Sequence, residues 1–414
     1  MEKDIESRNA DGGGVLSTYQ MLTLYLPAFV LALGYSIATP AIPVFAKSFD
    51  TGFGVASLVI VVHAFGGLIA AVPTGFLLDH LGRRPVLFAG PLLTAFSSFF
   101  TAVARSFPEL LVYRLTGGVA MEMWRQARLA VIADIGKSRQ RGRQISGMVG
   151  TEGAGRLVGP AVGGLLATWS IRVPFVAHGL LAFLAIVPSF FLLRESIPQK
   201  SEKLEADRDD HLSTRTLLGL IVNGGYLGFF CAQFFASMTR GVLWGGTLLL
   251  YATFIYNVGA EVLGGLATAS SIIGIPITLC CGYLMDRFGR KTTMVPGFTA
   301  IALALFFIAS SAYWRLGLTA FIAGFLWVQA SHSVTSGSMQ VVGSDMAPAA
   351  ARGRFFGFWR LIGEIGGLVS PALFAFVAEK IAYGAAFTLF AFCALATAVL
   401  LRFSIKDITG KKPS

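Results

Sequence analysis

The chain has 414 residues, of which 55% are hydrophobic and 13% charged, with a formal net charge of +11 and a mean hydropathy of +0.69. Soluble domains carry about 25% charged residues, so a soluble globular fold is excluded: it has too little interior for this much apolar surface. The continuous apolar runs rule for membrane-spanning helices, because only helices and closed barrels satisfy every backbone polar group in hydrocarbon.

In chain order, the segment "MEKDIESRNADGGG" is polar and mixed in charge. It lacks the apolar core and small-residue site of a cleavable leader, so the first span itself is expected to direct insertion. Polar or turn-rich breaks then divide the chain into spans at 19–45, 54–79, 85–104, 108–135, 143–168 and 172–194. A second set follows at 219–250, 259–286, 292–312, 314–342, 353–378 and 382–403. The one long hydrophilic interval, "RESIPQKSEKLEADRDDHLSTR" (194–215), reads as a solvated linker. The expected organisation is an N-terminal segment 1–18, a six-helix bundle 19–194, a linker 195–215, a second six-helix bundle 216–403 and a tail 404–414. Cys231, Cys280, Cys281 and Cys393 all fall in apolar stretches, which argues against a disulfide framework.

The basic residues of the short loops are unevenly shared. Arg83, Arg84, Lys137, Arg139, Arg141, Arg143, Arg287, Arg290, Lys291, Arg352 and Arg354 fall on one side. Lys47, Arg105, Arg172, Arg315 and Lys380 fall on the other. Positive-inside bias puts the richer side, both termini and the linker in the cytoplasm. This asymmetry accounts for the positive charge without nucleic acid as a partner.

The halves repeat one another. "GFLLDHLGRR" (75–84) and "GYLMDRFGRK" (282–291) place Asp79 and Asp286 at the ends of corresponding spans, 207 residues apart. "DIGKSRQRGR" (134–143) aligns without a gap on "DMAPAAARGR" (345–354) at an offset of 211, and the same offset sets "GPAVGG" (159–164) over "SPALFA" (370–375). Parallel repeats are one recognised plan for secondary transporters, with the substrate bound between them near mid-membrane.

These residues resemble the major facilitator superfamily. Its loop motif G-x-x-x-D-R/K-x-G-R-R/K is matched by Gly75, Asp79, Gly82, Arg83 and Arg84, with His80 in place of the usual base. It is matched fully by Gly282, Asp286, Arg287, Gly289, Arg290 and Lys291. Arg114 and Gly118 are similar to the family's R-x-x-x-G element. Gly155, Gly159, Pro160, Gly163 and Gly164 are similar to the G-x-x-x-G-P-x-x-G-G element of its proton-coupled exporters. The resemblance implies an all-α membrane fold of twelve helices in two pseudo-symmetric bundles, and a cytoplasmic latch formed by the loop motif. It further implies a cavity lined by spans 1, 4, 7 and 10, with 2, 5, 8 and 11 beside them.

Physical chemistry supplies a reading of the same positions. In Gly75-x-x-x-Asp79 the two residues lie about one turn apart on one face. The glycine is expected to let a neighbouring helix approach, and the aspartate to meet that helix's positive N-terminal end. Small residues at 155, 159 and 163 form a flat strip, and Pro160 removes a backbone donor, together suiting a close-packed hinge. Phe374 and Ala375 stand where Gly163 and Gly164 stand, so the hinge is expected in the first half alone.

Seven ionisable residues lie far from any helix end: Glu122, Arg125, Glu152, Arg156, Arg240, Arg360 and Glu364. Each costs about 2.5–3.5 kcal/mol at mid-membrane on insertion scales, on the order of 20 kcal/mol together. They must pair or face a wet cavity. Glu152 with Arg156, and Arg360 with Glu364, are spaced for salt bridges along one helix. A buried glutamate can titrate whereas arginine stays charged, so Glu122 and Glu152 are the proton-coupling candidates, tuned by Arg114, Arg125 and Arg156. Tyr35, Arg240, Gln329, His332, Arg360 and Glu364 are the substrate-cavity candidates. With its excess of arginine the cavity suits an anionic or neutral amphipath better than a lipophilic cation.

His63, His80, His178, His211 and His332 are scattered, and no metal-binding or nucleophile–base motif occurs in the sequence, so neither an enzyme, a metal nor a cofactor is expected. The expectation is a monomeric multi-pass protein of the plasma or inner membrane. It would exchange protons for small organic molecules in the export direction. The alternative is a facilitator or proton symporter for a sugar, organic anion or other metabolite.

Overall fold

The structure, a computed structural model, describes residues 21–135, 141–192, 226–244, 246–336, 338–346 and 352–404. Among these there is no strand. A π-helical turn, Met21–Tyr25, leads into α1 (Leu26–Ala38) and α2 (Ala41–Lys47). Then come α3 (Phe53–His80), α4 (Arg83–Val103), α5 (Phe107–Ile135), α6 (Arg141–Trp169) and α7 (Val173–Leu192). The second half holds α8 (Leu227–Trp244), α9 (Thr247–Tyr256), α10 (Ala260–Phe288), α11 (Arg290–Trp314), α12 (Leu318–Thr335), α13 (Ser338–Met346), α14 (Arg352–Lys380) and α15 (Tyr383–Ser404).

Each expected span is met by helix, but three of them are broken. The first is interrupted at Thr39–Pro40, where proline cannot donate to the preceding turn. The seventh, expected as 219–250, runs from Leu227 to Trp244 and resumes as α9. Gly246 between them has φ 83°, a left-handed conformation that suits glycine. Residues 219–225 of that span, and the linker 195–215, lie outside the described residues. The tenth, expected as 314–342, ends at Thr335 and is followed by the separate α13. Among the described residues, seven helical stretches are long and apolar enough to cross a membrane by length and composition alone. The helices α5 and α6 are not among them, and it is these that carry Glu122, Arg125, Glu152 and Arg156.

By contacts the chain forms two compact units: residues 1–38 with 66–198, and residues 39–65 with 199–414. The division falls inside α3, so α2 and the first turns of α3 belong with the second unit. In the first unit α1 packs on α6 and α7, and α4 packs on α5 and α7. Its core gathers Leu24, Tyr25, Leu31, Leu78, Leu87, Trp124 and Val131. In the second unit α8 packs on α14 and α15, and α11 on α12 and α15. These four pairings of the first unit are thus repeated in the second.

The glycine strip of α6 lies flat on α1. A Cβ at Gly155 would come within 2.8 Å of the Leu33 nitrogen, at Gly159 within 2.0 Å of Ser36 Oγ, and at Gly163 within 2.0 Å of the Ile37 carbonyl oxygen. Ser36 Oγ sits at the seam, 2.7 Å from the Ala32 carbonyl oxygen of its own helix and 3.1 Å from the Gly155 carbonyl oxygen across it, the two sharing its one hydroxyl donor. The α8–α14 seam of the second unit is the counterpart, with the small residue on the other helix. There Gly241 of α8 faces Ser370 of α14, whose Oγ lies 2.0 Å from where a Gly241 Cβ would be. Ser370 is the residue that the repeat aligns on Gly159. The same contact is therefore built as Ser–Gly in one unit and Gly–Ser in the other. Beyond it Phe374, aligned on Gly163, is fully buried against Phe387 and Phe390 at 4.9 and 5.9 Å between ring centroids. The second seam is filled by rings where the first is closed by backbone contact.

This geometry sets a prediction. Gly159→Ser overpacks the first seam and lowers thermal stability in detergent by about 1–3 kcal/mol, the usual cost of an extra group in a packed core. Adding Ser36→Gly, which reproduces the arrangement of the second unit, restores most of it. Gly163→Ala is not relieved by any side-chain change, since its obstacle is backbone.

Candidate functional site

The loop motif adopts one backbone shape in both copies. Gly82, between α3 and α4, has φ 88° and ψ 176°; Gly289, between α10 and α11, has φ 91° and ψ 163°. That region is open essentially to glycine alone, which explains why the two glycines recur at one spacing. Arg83 folds back, buried, and donates to the Leu78 carbonyl at 3.2 Å. Arg84 lies over the Phe88 ring at 5.5 Å, and Arg287 over the Phe288 ring at 5.4 Å while donating to the Tyr283 hydroxyl at 3.1 Å. Asp79 is exposed in the last turn of α3. Asp286 lies in the last turn of α10, as its copy in the repeat requires, and Arg290 opens α11. One expectation is corrected. At Gly75 and Gly282 an added Cβ would meet nothing within 4 Å, so no helix presses on either glycine among the described residues. Close approach is instead the property of the α6 strip.

Within the first unit, α5 and α6 carry an ion network. Glu122, buried, accepts a two-pronged contact from Arg125, Nε to Oε2 at 2.8 Å and Nη2 to Oε1 at 2.7 Å. Gln126 adds a third donor to the same carboxylate at 2.7 Å, and ties it to α3 through the Ala71 carbonyl at 3.0 Å. Glu152 of α6 is held on one side by Arg156 at 3.1 Å, the expected bridge along the helix. On the other side it is held by Arg128 of α5. Arg128 also lies over the Trp124 ring at 5.8 Å. It is the residue that sequence spacing missed: a pair within one helix shows in the spacing, whereas a bridge between helices needs the packing.

A second cluster in this unit brings together four helices. Arg114 of α5 hydrogen-bonds the Tyr35 hydroxyl of α1. The Tyr35 ring meets His178 of α7 edge-on at 6.2 Å, and Nδ1 of His178 is 2.9 Å from Ser98 Oγ of α4. Tyr35 and Arg114, assigned to different roles from sequence, thus belong to one cluster. His178 is its unforeseen member; a lone histidine in an apolar run gives no signal by itself.

The second unit holds Arg240, His332, Arg360 and Glu364. Arg360 and Glu364 face each other along α14 at 3.7 Å, both side chains about half exposed. Arg240 of α8 lies within electrostatic reach of Glu364 and of His332 on α12. His332 packs against Trp244 at 6.3 Å, ring planes 72° apart. Gln329, half-buried, is three residues before His332 on α12. The charges on α8 and α14 therefore gather on one side of this unit, with histidine and tryptophan beside them.

A sequence model of the Major Facilitator Superfamily matches the chain twice, over residues 24–230 and 229–414. The quinolone resistance protein NorA of Staphylococcus aureus is 24% identical over 365 residues, spanning 86% of this chain and 90% of that protein. Multidrug resistance protein 2 of Bacillus subtilis is 24% identical over 301 residues, spanning 68% and 74%. A D-xylose–proton symporter structure superposes with a TM-score of 0.74 at 16% identity, over 96% of this chain and all of that one. The inward-open xylose transporter of E. coli gives 0.72 at 17% identity, over 94% and 97%. At such identities the solved structures bear on the fold alone. Two matches to one model, an all-helical fold and relatives of nearly full length lead to one conclusion: the chain belongs to the Major Facilitator Superfamily, and is an integral multi-pass membrane transporter.

Proposed function

We propose that the protein exports small amphipathic organic molecules in exchange for protons, by alternating access. The observation that carries this reading is the α5–α6 ion network, in which Glu122 and Glu152 are both held by arginines inside one unit. A proton arriving on Glu152 neutralises the carboxylate and removes its hold on Arg128 and Arg156 together. The α5–α6 bridge is then lost, and α6 is the helix whose glycine strip lies on α1. Glu122 offers the same chemistry against Arg125 and Gln126. A proton is thereby converted into a change of helix contacts, the differential interaction that a population shift requires. The resemblance of the strip to the exporter element and the resistance names of the two bacterial relatives support the export direction. In this reading both termini are cytoplasmic and the monomer is the working unit. The two halves of the repeat are the moving parts, and the paired loop motifs with Asp79 and Asp286 form the cytoplasmic latch.

Two experiments test it. In proteoliposomes, Glu122→Gln and Glu152→Gln each lower proton-gradient-driven transport at least tenfold, about 1.4 kcal/mol of driving interaction, while substrate counterflow stays within about twofold. Opposite proton and substrate fluxes are expected in the unmodified protein. Transport indifferent to pH identifies a facilitator, and parallel fluxes a symporter. For the latch, Asp79→Asn reduces the transport rate while leaving the yield of folded protein unchanged. Full activity in that variant removes Asp79 from the gate.

A further inference from the structure

The helix α8 is covered along almost its whole length. Residues 229, 230, 232, 233, 236–239, 242 and 243 are buried, and apart from Leu227 in its first turn only Arg240 and Trp244 are exposed. These two are four residues apart, so they share one face and form a single window on an otherwise enclosed helix. Arg240 is the unusual member. Among the described residues its guanidinium makes no hydrogen bond and no ion pair within 4 Å; Glu364 acts on it only at longer range and is itself taken by Arg360. All five donors of a planar, permanently charged fork are thus unspent at an accessible position. Beside the fork stands an aromatic wall, Trp244, 59% exposed, with His332 packed against it.

We propose that Arg240 and Trp244 form a subsite for organic anions, in which a substrate carboxylate takes the guanidinium fork and a flat aromatic body lies on the indole. The inference rests on the reading of this chain as a carrier of small organic molecules and names the class it accepts at this unit. Two parallel N–H···O contacts match a carboxylate in geometry as well as charge. The tryptophan supplies a large apolar face one helical turn away. His332 of α12 packs edge-on against the indole.

The test uses three probes with one body and different heads: 2-naphthoate, 2-naphthamide and 2-naphthylmethylammonium. Binding to the purified full-length protein in detergent is followed by calorimetry. The expected result is that 2-naphthoate binds at least tenfold more tightly than the amide, with the ammonium weakest. Arg240→Gln abolishes the preference for naphthoate over the amide, and Arg240→Lys keeps part of it. Trp244→Ala weakens naphthoate and amide alike, leaving their ratio unchanged, and this variant remains informative if the arginine variants fail to fold. Equal binding of all three probes, preference for the ammonium, or no binding of naphthoate overturns the proposal. Transport of neutral or cationic amphiphiles by the same preparation in proteoliposomes separates the two ideas. If it proceeds while naphthoate does not bind, the subsite falls and the exporter stands; if naphthoate binds without transport of any amphiphile, the exporter falls.

Discussion

A charge placed in hydrocarbon must be paired or wet, and most of the functional organisation of this protein follows from that constraint. Each unit carries several formal charges in the interior of its helices, and each handles them by a different device. In the first unit the carboxylates are saturated: Glu122 by Arg125 and Gln126, Glu152 by Arg128 and Arg156. In the second unit Arg240 makes no hydrogen bond and no ion pair within 4 Å among the described residues, and the exposed face of α14 carries Arg360 and Glu364 at 3.7 Å. Saturated pairs suit a switch whose state changes when one partner is neutralised. An arginine whose donors are unspent suits recognition, since a ligand can take them.

The duplication explains why both devices occur in one scaffold. The helix pairings of the first unit recur in the second, yet the details have diverged in compensated ways. The Ser36–Gly159 contact and the Gly241–Ser370 contact use the same two residue types on opposite helices, so each seam keeps its separation. The loop glycines, Gly82 and Gly289, have not diverged, because no other residue reaches that φ and ψ without strain. Positions under backbone constraint stay fixed, whereas positions under volume constraint exchange in pairs.

Much of this was legible from sequence because its causes are local or periodic. Composition gave the membrane, apolar runs gave the spans, and the spaced Gly-Asp-Gly-Arg copies gave the repeat. The salt bridges along α6 and α14 followed from a four-residue interval. What escaped depends on packing between helices. Arg128 reaches Glu152 from a neighbouring helix, and His178 is recruited by Ser98 and Tyr35 from two others. The interruption at Gly246 escaped because hydropathy continues across it while the helix does not. The supposed close approach at Gly75 failed for a related reason: a glycine permits contact but does not supply the neighbour.

The central claim is that the charged face of α14 meets water rather than lipid, and exposure alone does not decide it. Gly357, on the same face as Arg360 and Glu364, is exposed and has room for a side chain; Leu279 on α10 is 72% exposed among apolar neighbours. The most direct measurement compares single cysteines at these two positions, in a protein lacking Cys231, Cys280, Cys281 and Cys393, by their rates of reaction with a charged, membrane-impermeant thiosulfonate. The account predicts that Gly357→Cys reacts at a rate typical of a solvated thiol and Leu279→Cys hardly at all. Inert cysteine at 357, or equal rates at both, would contradict it.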